Sequence, residues 1–232
     1  MQKPARRMIL SPGDAGPIPV TKISGIPWWP KGCCRPTCSH GHPMAFMIQI
    51  LLNDVPALEA RNKSLLSFHY CTQCMYDGRM AWGFQDAENR GYDVRVIDSV
   101  ESKEPDNLIT LGEATLPPSA VTFSDFLEVP SADDMSEKVR ASLQDDYFQS
   151  GDFEENNYRG LIHRPLCKVG GWPSWVQSAE WPTVGAKKMD FICQIDAAVG
   201  ERSAWGGGGF AYLFISPSEV SPKIGELFIQ TT

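Results

Sequence analysis

Lys22-Ile23-Ser24-Gly25-Ile26-Pro27-Trp28-Trp29 returns later in the chain as Lys168-Val169-Gly170-Gly171-Trp172-Pro173-Ser174-Trp175. Two further blocks follow in the same register. Pro43-Met44-Ala45-Phe46-Met47-Ile48-Gln49-Ile50 corresponds to Lys188-Met189-Asp190-Phe191-Ile192-Cys193-Gln194-Ile195, and Leu65–Tyr70 corresponds to Phe210–Ile215. Gly25 and Gly171 are 146 residues apart, Gln49 and Gln194 are 145, and Phe68 and Phe214 are 146. Chance similarity does not hold register over three blocks, so the chain reads as two related halves.

Within each half, runs of apolar, β-branched and aromatic residues are bounded by Gly and Pro, which is the signature of strands. Gln49 and Gln194 each interrupt such a run. A buried amide must be satisfied, so both are expected to hydrogen-bond loop backbone. The paired tryptophans read as core and turn packing. Asp93–Ile97 and Val121–Val129 add two strands between the halves. Ser131, with Asp134 three residues on and Met135, Val139 and Leu143 at a spacing of four, predicts a capped amphipathic helix. The fold class expected is α+β, strand-rich, with two pseudo-symmetric halves, largely antiparallel sheets packing together and few helices. One domain is expected over 1–232, with repeats at about 20–100 and 165–232 and a connector at about 130–160.

The chain has 232 residues, of which 20 are Gly and 18 Pro, so short elements joined by turns are favoured over long helices. A net charge of −7 argues against a protein that coats nucleic acid, and no direct nucleic-acid binding is expected. Lys3, Arg6 and Arg7 are followed only by Met8-Ile9-Leu10, too short for a secretory signal. The apolar run at Ala45–Leu52 is far short of a membrane span. A soluble cytoplasmic protein without a membrane role is therefore expected.

Five of the seven cysteines, Cys33, Cys34, Cys38, Cys71 and Cys74, fall in the first half. Cys34 and Cys38 form a CxxxC just before a predicted strand, and Cys71 and Cys74 a CxxC just after one. Antiparallel neighbours would bring these ends together, which is how a chain presents four thiolates to a tetrahedral Zn²⁺. The expected ligands are Cys34, Cys38, Cys71 and Cys74, with His40 as a possible substitute. Cys33 and His42 also lie close enough to complete a Cys₃His sphere. A closed sphere of four protein ligands is structural. Cys167 and Cys193 read as small buried apolar residues.

From Asp133 to Tyr158 eight acids face only Lys138 and Arg140, so six of the seven net negative charges sit in this segment. Asp145, Asp146, Asp152, Glu154 and Glu155 are interleaved there with Tyr147, Phe148 and Phe153. Carboxylates steer towards a basic partner while aromatics supply contact area, so these eight residues are the expected partner-binding surface.

No catalytic signature competes with this reading. Gly206–Gly209 lacks the Lys-Ser/Thr of a phosphate-binding loop, and neither a GxSxG nor an HExxH occurs. His69 sits inside an apolar strand and reads as a satisfied core histidine. His163 has no acid or nucleophile partner in sequence. A non-enzymatic protein is expected.

The blocks Lys22–Pro30, Pro43–Ile50, Leu65–Cys74, Lys168–Trp175, Lys188–Ile195 and Trp205–Ile215 resemble the bacterial YwqG-like family, which has no established activity. More distantly, cysteines followed by a Gln-Ile strand and an aromatic strand into a cysteine pair are similar to the C-terminal domain of programmed cell death protein 2. That likeness implies zinc and the escort of a ribosomal protein. The YwqG-like resemblance, through an association with bacterial polymorphic toxins, implies an immunity protein that binds and blocks a cognate toxin, such as a nuclease. The alternatives are a chaperone-like escort of a basic client and an enzyme of unknown chemistry.

Overall fold

The computed structural model describes residues 2–56, 58, 64–77, 91–98, 100, 103–106, 112, 116–131, 134–138, 156–158, 161–163, 167–199, 209–218 and 225–231. Among these residues strands dominate: β1 (Lys3–Pro12), β2 (Lys22–Ile23), β3 (Ala45–Leu51), β4 (Leu65–Tyr70), β5 (Tyr92–Ile97), β6 (Ser119–Glu128), β7 (Asn156–Tyr158), β8 (Leu161–His163), β9 (Lys168–Gly170), β10 (Thr183–Val184), β11 (Lys187–Lys188), β12 (Asp190–Asp196), β13 (Phe210–Ile215) and β14 (Gly225–Gln230). One short α-helix, α1 (Thr72–Tyr76), follows β4, and Glu137 and Lys138 are also helical.

Ten strands form one antiparallel sheet in the order β14-β13-β12-β9-β1-β6-β2-β3-β4-β5. Its two ends approach each other. A side chain on Gly225 of β14 would collide with Val94 of β5, and the Tyr92 hydroxyl donates to Glu226 across the same gap. The sheet is thus a nearly closed barrel, which leaves little unpaired edge to aggregate. Two packed sheets were expected. One ten-stranded sheet forms instead, beside the small hairpins β7–β8 and β10–β11, because β1 and β6 pair along ten residues, Lys3↔Glu128 through Pro12↔Ser119, and join the flanking groups of strands.

The barrel interior takes alternate side chains such as Phe68, Tyr70, Leu213 and Ile215. The outer faces are covered too. Trp28 and Trp29 lie over Leu65 and Ile97, while Trp175 and Trp181 lie over Tyr212, Phe214 and Phe228. Burial on both faces explains why β4 and β13 read as continuous apolar runs instead of alternating ones.

The same local devices recur on the two sides of the β1–β6 pair. Lys22 pairs with Gln49 across β2–β3, and Lys168 with Gln194 across β9–β12. Each strand β3 and β12 carries a register shift, between Phe46 and Ile48 and between Phe191 and Cys193. Gln49 accepts from the Trp28 N–H at 2.9 Å and donates to the Ile18 and Val20 carbonyls; Gln194 accepts from the Ser174 N–H at 2.8 Å. Both amides bond loop backbone, as their buried positions require. Ser24 and Gly25, like Gly170 and Gly171, sit consecutively in the left-handed region.

The Ser131 hydroxyl meets the Asp134 carboxylate at 3.4 Å, a contact between side chains and not the expected cap on a backbone N–H, and among the described residues of this segment α-helix begins only at Glu137. Beyond Lys138 the expected helix lies outside the described residues.

Candidate metal centre

The turn before β3 and the turn after β4 meet because those strands are antiparallel neighbours, with Ala45 opposite Tyr70. At that junction the Sγ atoms of Cys38, Cys71 and Cys74 and a ring nitrogen of His42 all lie within 4.8 Å of one another. Cys74 Sγ is 3.6 Å from Cys38 Sγ and 3.6 Å from His42 Nδ1, and Cys71 Sγ is 3.9 Å from the same nitrogen. Two sulfurs bound tetrahedrally at about 2.3 Å would stand about 3.8 Å apart, so these separations are those of the edges of a zinc tetrahedron. All three cysteines are buried and His42 is partly so.

Local backbone explains why these four converge. The Cys38 N–H donates to the His42 carbonyl at 3.0 Å, and the Gly41 N–H returns to the Cys38 carbonyl at 2.9 Å. Gly41, at φ +82°, supplies the left-handed residue that this tight turn needs. The turn folds His42 back beside Cys38. On the other side Cys71 is the N-cap of α1, and its sulfur accepts from the Cys74 N–H at 3.4 Å. The His42 N–H likewise donates to Cys38 Sγ at 3.3 Å. Backbone donors aimed at sulfur orient the ligands and favour thiolate.

The electrostatics are uneven without a metal. Burial opposes the Cys38 thiolate, but N–H donors from His42 and His40 and the neighbouring thiols hold its pKa below the ordinary value. Burial pushes the Cys71 thiol up, and burial together with its two thiol neighbours pushes Cys74 up to about 12. One member of the group therefore leans towards thiolate while two keep their protons. A dication would replace those protons.

One expected ligand is corrected. Cys34 is exposed and does not belong to the group; His42 takes the fourth corner. The reason is backbone anchoring. The Cys34 carbonyl accepts from Arg95 at 3.1 Å and the Cys33 carbonyl from the Trp29 indole at 3.3 Å, which ties this dipeptide to another surface. His40 is exposed, with Nδ1 3.5 Å from Cys74 Sγ, and stacks on His42 with centroids 6.2 Å apart. The signal that distinguishes His42 is Gly41, which marks the turn.

His69 is a core residue, but not a satisfied one. It packs edge-on to Trp29 at 5.1 Å and against Phe46 at 5.6 Å, and neither ring nitrogen has a hydrogen-bond partner among the described residues. Burial, then the Arg95 charge, holds its pKa at about 3, so the ring is neutral. The side chain of His163 and the segment 201–208, which contains most of the glycine run, lie outside the described residues, as do Asp145, Asp146, Tyr147, Phe148, Asp152, Phe153, Glu154 and Glu155.

No helix of the described residues is long and apolar enough to cross a membrane. Residues 21–223, most of the chain, match the model of a family described as a domain of unknown function, DUF1963. No curated protein matches the chain.

Proposed function

The chain belongs to the DUF1963 family, a YwqG-like domain of unknown function, and from its metal centre we infer that it is a zinc-stabilised interaction protein. One observation carries this reading: three cysteine sulfurs and one imidazole nitrogen form a closed, largely buried group of four. Such a sphere leaves no position for water or substrate, so the ion braces the loop junction and takes no part in turnover. The free energy of binding it is then part of the free energy of folding the first half. Zinc content of the purified protein, with and without Cys71 and Cys74, tests this.

The partner we propose is a protein with a basic surface, and the function that of an immunity protein which occludes a bacterial toxin. The concentration of negative charge between Asp133 and Tyr158 supports it, as does the resemblance to YwqG-like proteins. Co-expression with a candidate toxin should rescue growth and yield a co-purifying complex. Reversing Asp145, Asp146, Glu154 and Glu155 to Lys should weaken capture at least about tenfold. Rescue that persists without any complex, or capture unchanged by the four reversals, would contradict the proposal.

The matched devices on either side of β1 and β6 also support reading the barrel as two repeats around that central pair. In this reading only the first repeat carries the metal.

A further inference from the structure

Beside the end of β1, far in sequence from the cysteine group, Lys3, Gly171, Trp172, Asp134, Trp181 and Lys188 line a cleft of about 490 Å³. That size is within the range of small-molecule sites, roughly 300–1,000 Å³. Its walls are two indoles set nearly at right angles, Trp172 and Trp181, with centroids 6.3 Å apart and planes 88° apart.

Trp181 also packs on Phe214 of the barrel wall, but Trp172 is not demanded by the barrel. At the position matching Trp172 the first half has Ile26, and the tryptophan common to both halves is the buried Trp29 and the partly buried Trp175. Trp172 is also poorly served as a structural residue: its buried indole N–H has no hydrogen-bond partner among the described residues. A buried donor left so calls for an explanation.

The charged groups of the cleft are satisfied unequally. Asp134 accepts from the Trp175 indole at 2.7 Å and the Trp181 indole at 2.5 Å, and Ser131 lies 3.4 Å from it. Its oxygens are used. The two ammoniums rest only on ring faces, Lys3 3.7 Å from the Trp172 centroid and Lys188 5.1 Å from that of Trp181. Neither forms an ion pair with a carboxylate among the described residues. Partial burial lowers the Lys3 pKa; the charges of Asp134 and Asp190 oppose that, and the charge of Lys188 adds to it. The ammoniums are near enough to repel. Asp190 also lines the cleft and, with Asp134, offsets part of the positive charge, but among the described residues no side-chain acceptor hydrogen-bonds either ammonium or the Trp172 indole N–H.

We propose that this cleft binds a small organic anion, its carboxylate or phosphate held between Lys3 and Lys188 with Trp172 donating, and its flat or apolar body against the indoles. The site is independent of the zinc reading and of any protein partner. The full-length protein would be titrated with phenyl phosphate, benzoate, phenol and benzyltrimethylammonium, read by tryptophan fluorescence and by chemical shifts of the indole N–H groups.

Saturable binding of phenyl phosphate or benzoate, with phenol at least about tenfold weaker, is expected. A Lys3→Gln, Lys188→Gln variant should weaken anion binding at least about tenfold while its melting curve stays close to the parent's. Trp172→Ile, which installs the residue of the matching position, serves as a second variant and should also lose the site. Preference for benzyltrimethylammonium would overturn the proposal in favour of a cation cage. Equal binding by the double lysine variant, or no saturable binding of either anion, would overturn it as well.

Discussion

Glu128 and Lys168 form an ion pair in which neither side chain is exposed to solvent, and it ties the end of β6 to the start of β9. Ser174 Oγ adds a contact at 2.9 Å to the ammonium, and the carboxylate also accepts from the Trp172 N–H at 2.9 Å. The counterpart across the barrel is Asp14, which accepts from Lys22 and from the Ile26 N–H at 2.9 Å. That pair is more open: the Asp14 side chain is 29% exposed, and the Lys22 ammonium also donates to the Gly16 and Ile26 carbonyls. In both places a glycine lets the carboxylate approach, since a Cβ on Gly25 would strike Asp14 and one on Gly171 would strike Glu128.

Breaking the Glu128–Lys168 pair from one side leaves a buried charge alone. Glu128→Gln and Lys168→Met should each cost about 3–5 kcal/mol in urea unfolding, and the combined Glu128→Leu, Lys168→Met variant should cost less than either. Asp14→Asn should cost less than Glu128→Gln, because solvent reaches Asp14.

The same pair has a pH signature. Burial lowers the Lys168 pKa, and Glu128 works against that by attraction. In Glu128→Gln the attraction is gone and the pKa falls further. Between that folded value and about 10.5 the unfolded chain binds more protons than the folded one, so the variant's stability should rise with pH through this window. Denaturation midpoints measured from neutral to alkaline pH check the sign.

Left-handed backbone gives a contrast between two neighbouring sites. Gly171→Ala places a Cβ against the Glu128 carboxylate at φ +72°, and should cost several times the ~1 kcal/mol of a left-handed alanine alone. Ser24→Gly should instead stabilise by up to ~1 kcal/mol. Ser24 stands at φ +54° and its buried hydroxyl has no partner among the described residues. Calorimetric melts of the two variants should move in opposite directions.

Metal binding should be steeply pH-dependent. With the Cys71 thiol raised and the Cys74 thiol near 12, both are protonated at neutral pH in the metal-free protein. Each must lose its proton to bind, so apparent zinc affinity should fall about a hundredfold per unit as pH drops from 8 to 6. Competition with a chelator of known pH response measures this.

Much of the strand framework was legible, because β3, β4, β12 and β13 are buried on both faces and leave unbroken apolar runs. β1 was not. Its Arg6 and Arg7 lie at the barrel surface, and its partner β6 is more than a hundred residues away, so nothing local marks it as a strand. β2 and β9 were not marked as strands either, because only two or three residues of each pair before the backbone turns left-handed. The cysteine group was legible to three of its four members. Spacing alone could not separate Cys34 from His42, since what decides between them is the fold of the Cys38–His42 turn and the anchoring of the Cys34 carbonyl by Arg95.

Zinc content by mass spectrometry, on protein purified without added metal, bears most directly on the centre. About one equivalent is predicted for the parent and for Cys34→Ser, and almost none for Cys71→Ser, Cys74→Ser or for His42→Ala. A metal-free parent, or a parent and double cysteine variant with equal metal, would contradict the closed Cys38–His42–Cys71–Cys74 site.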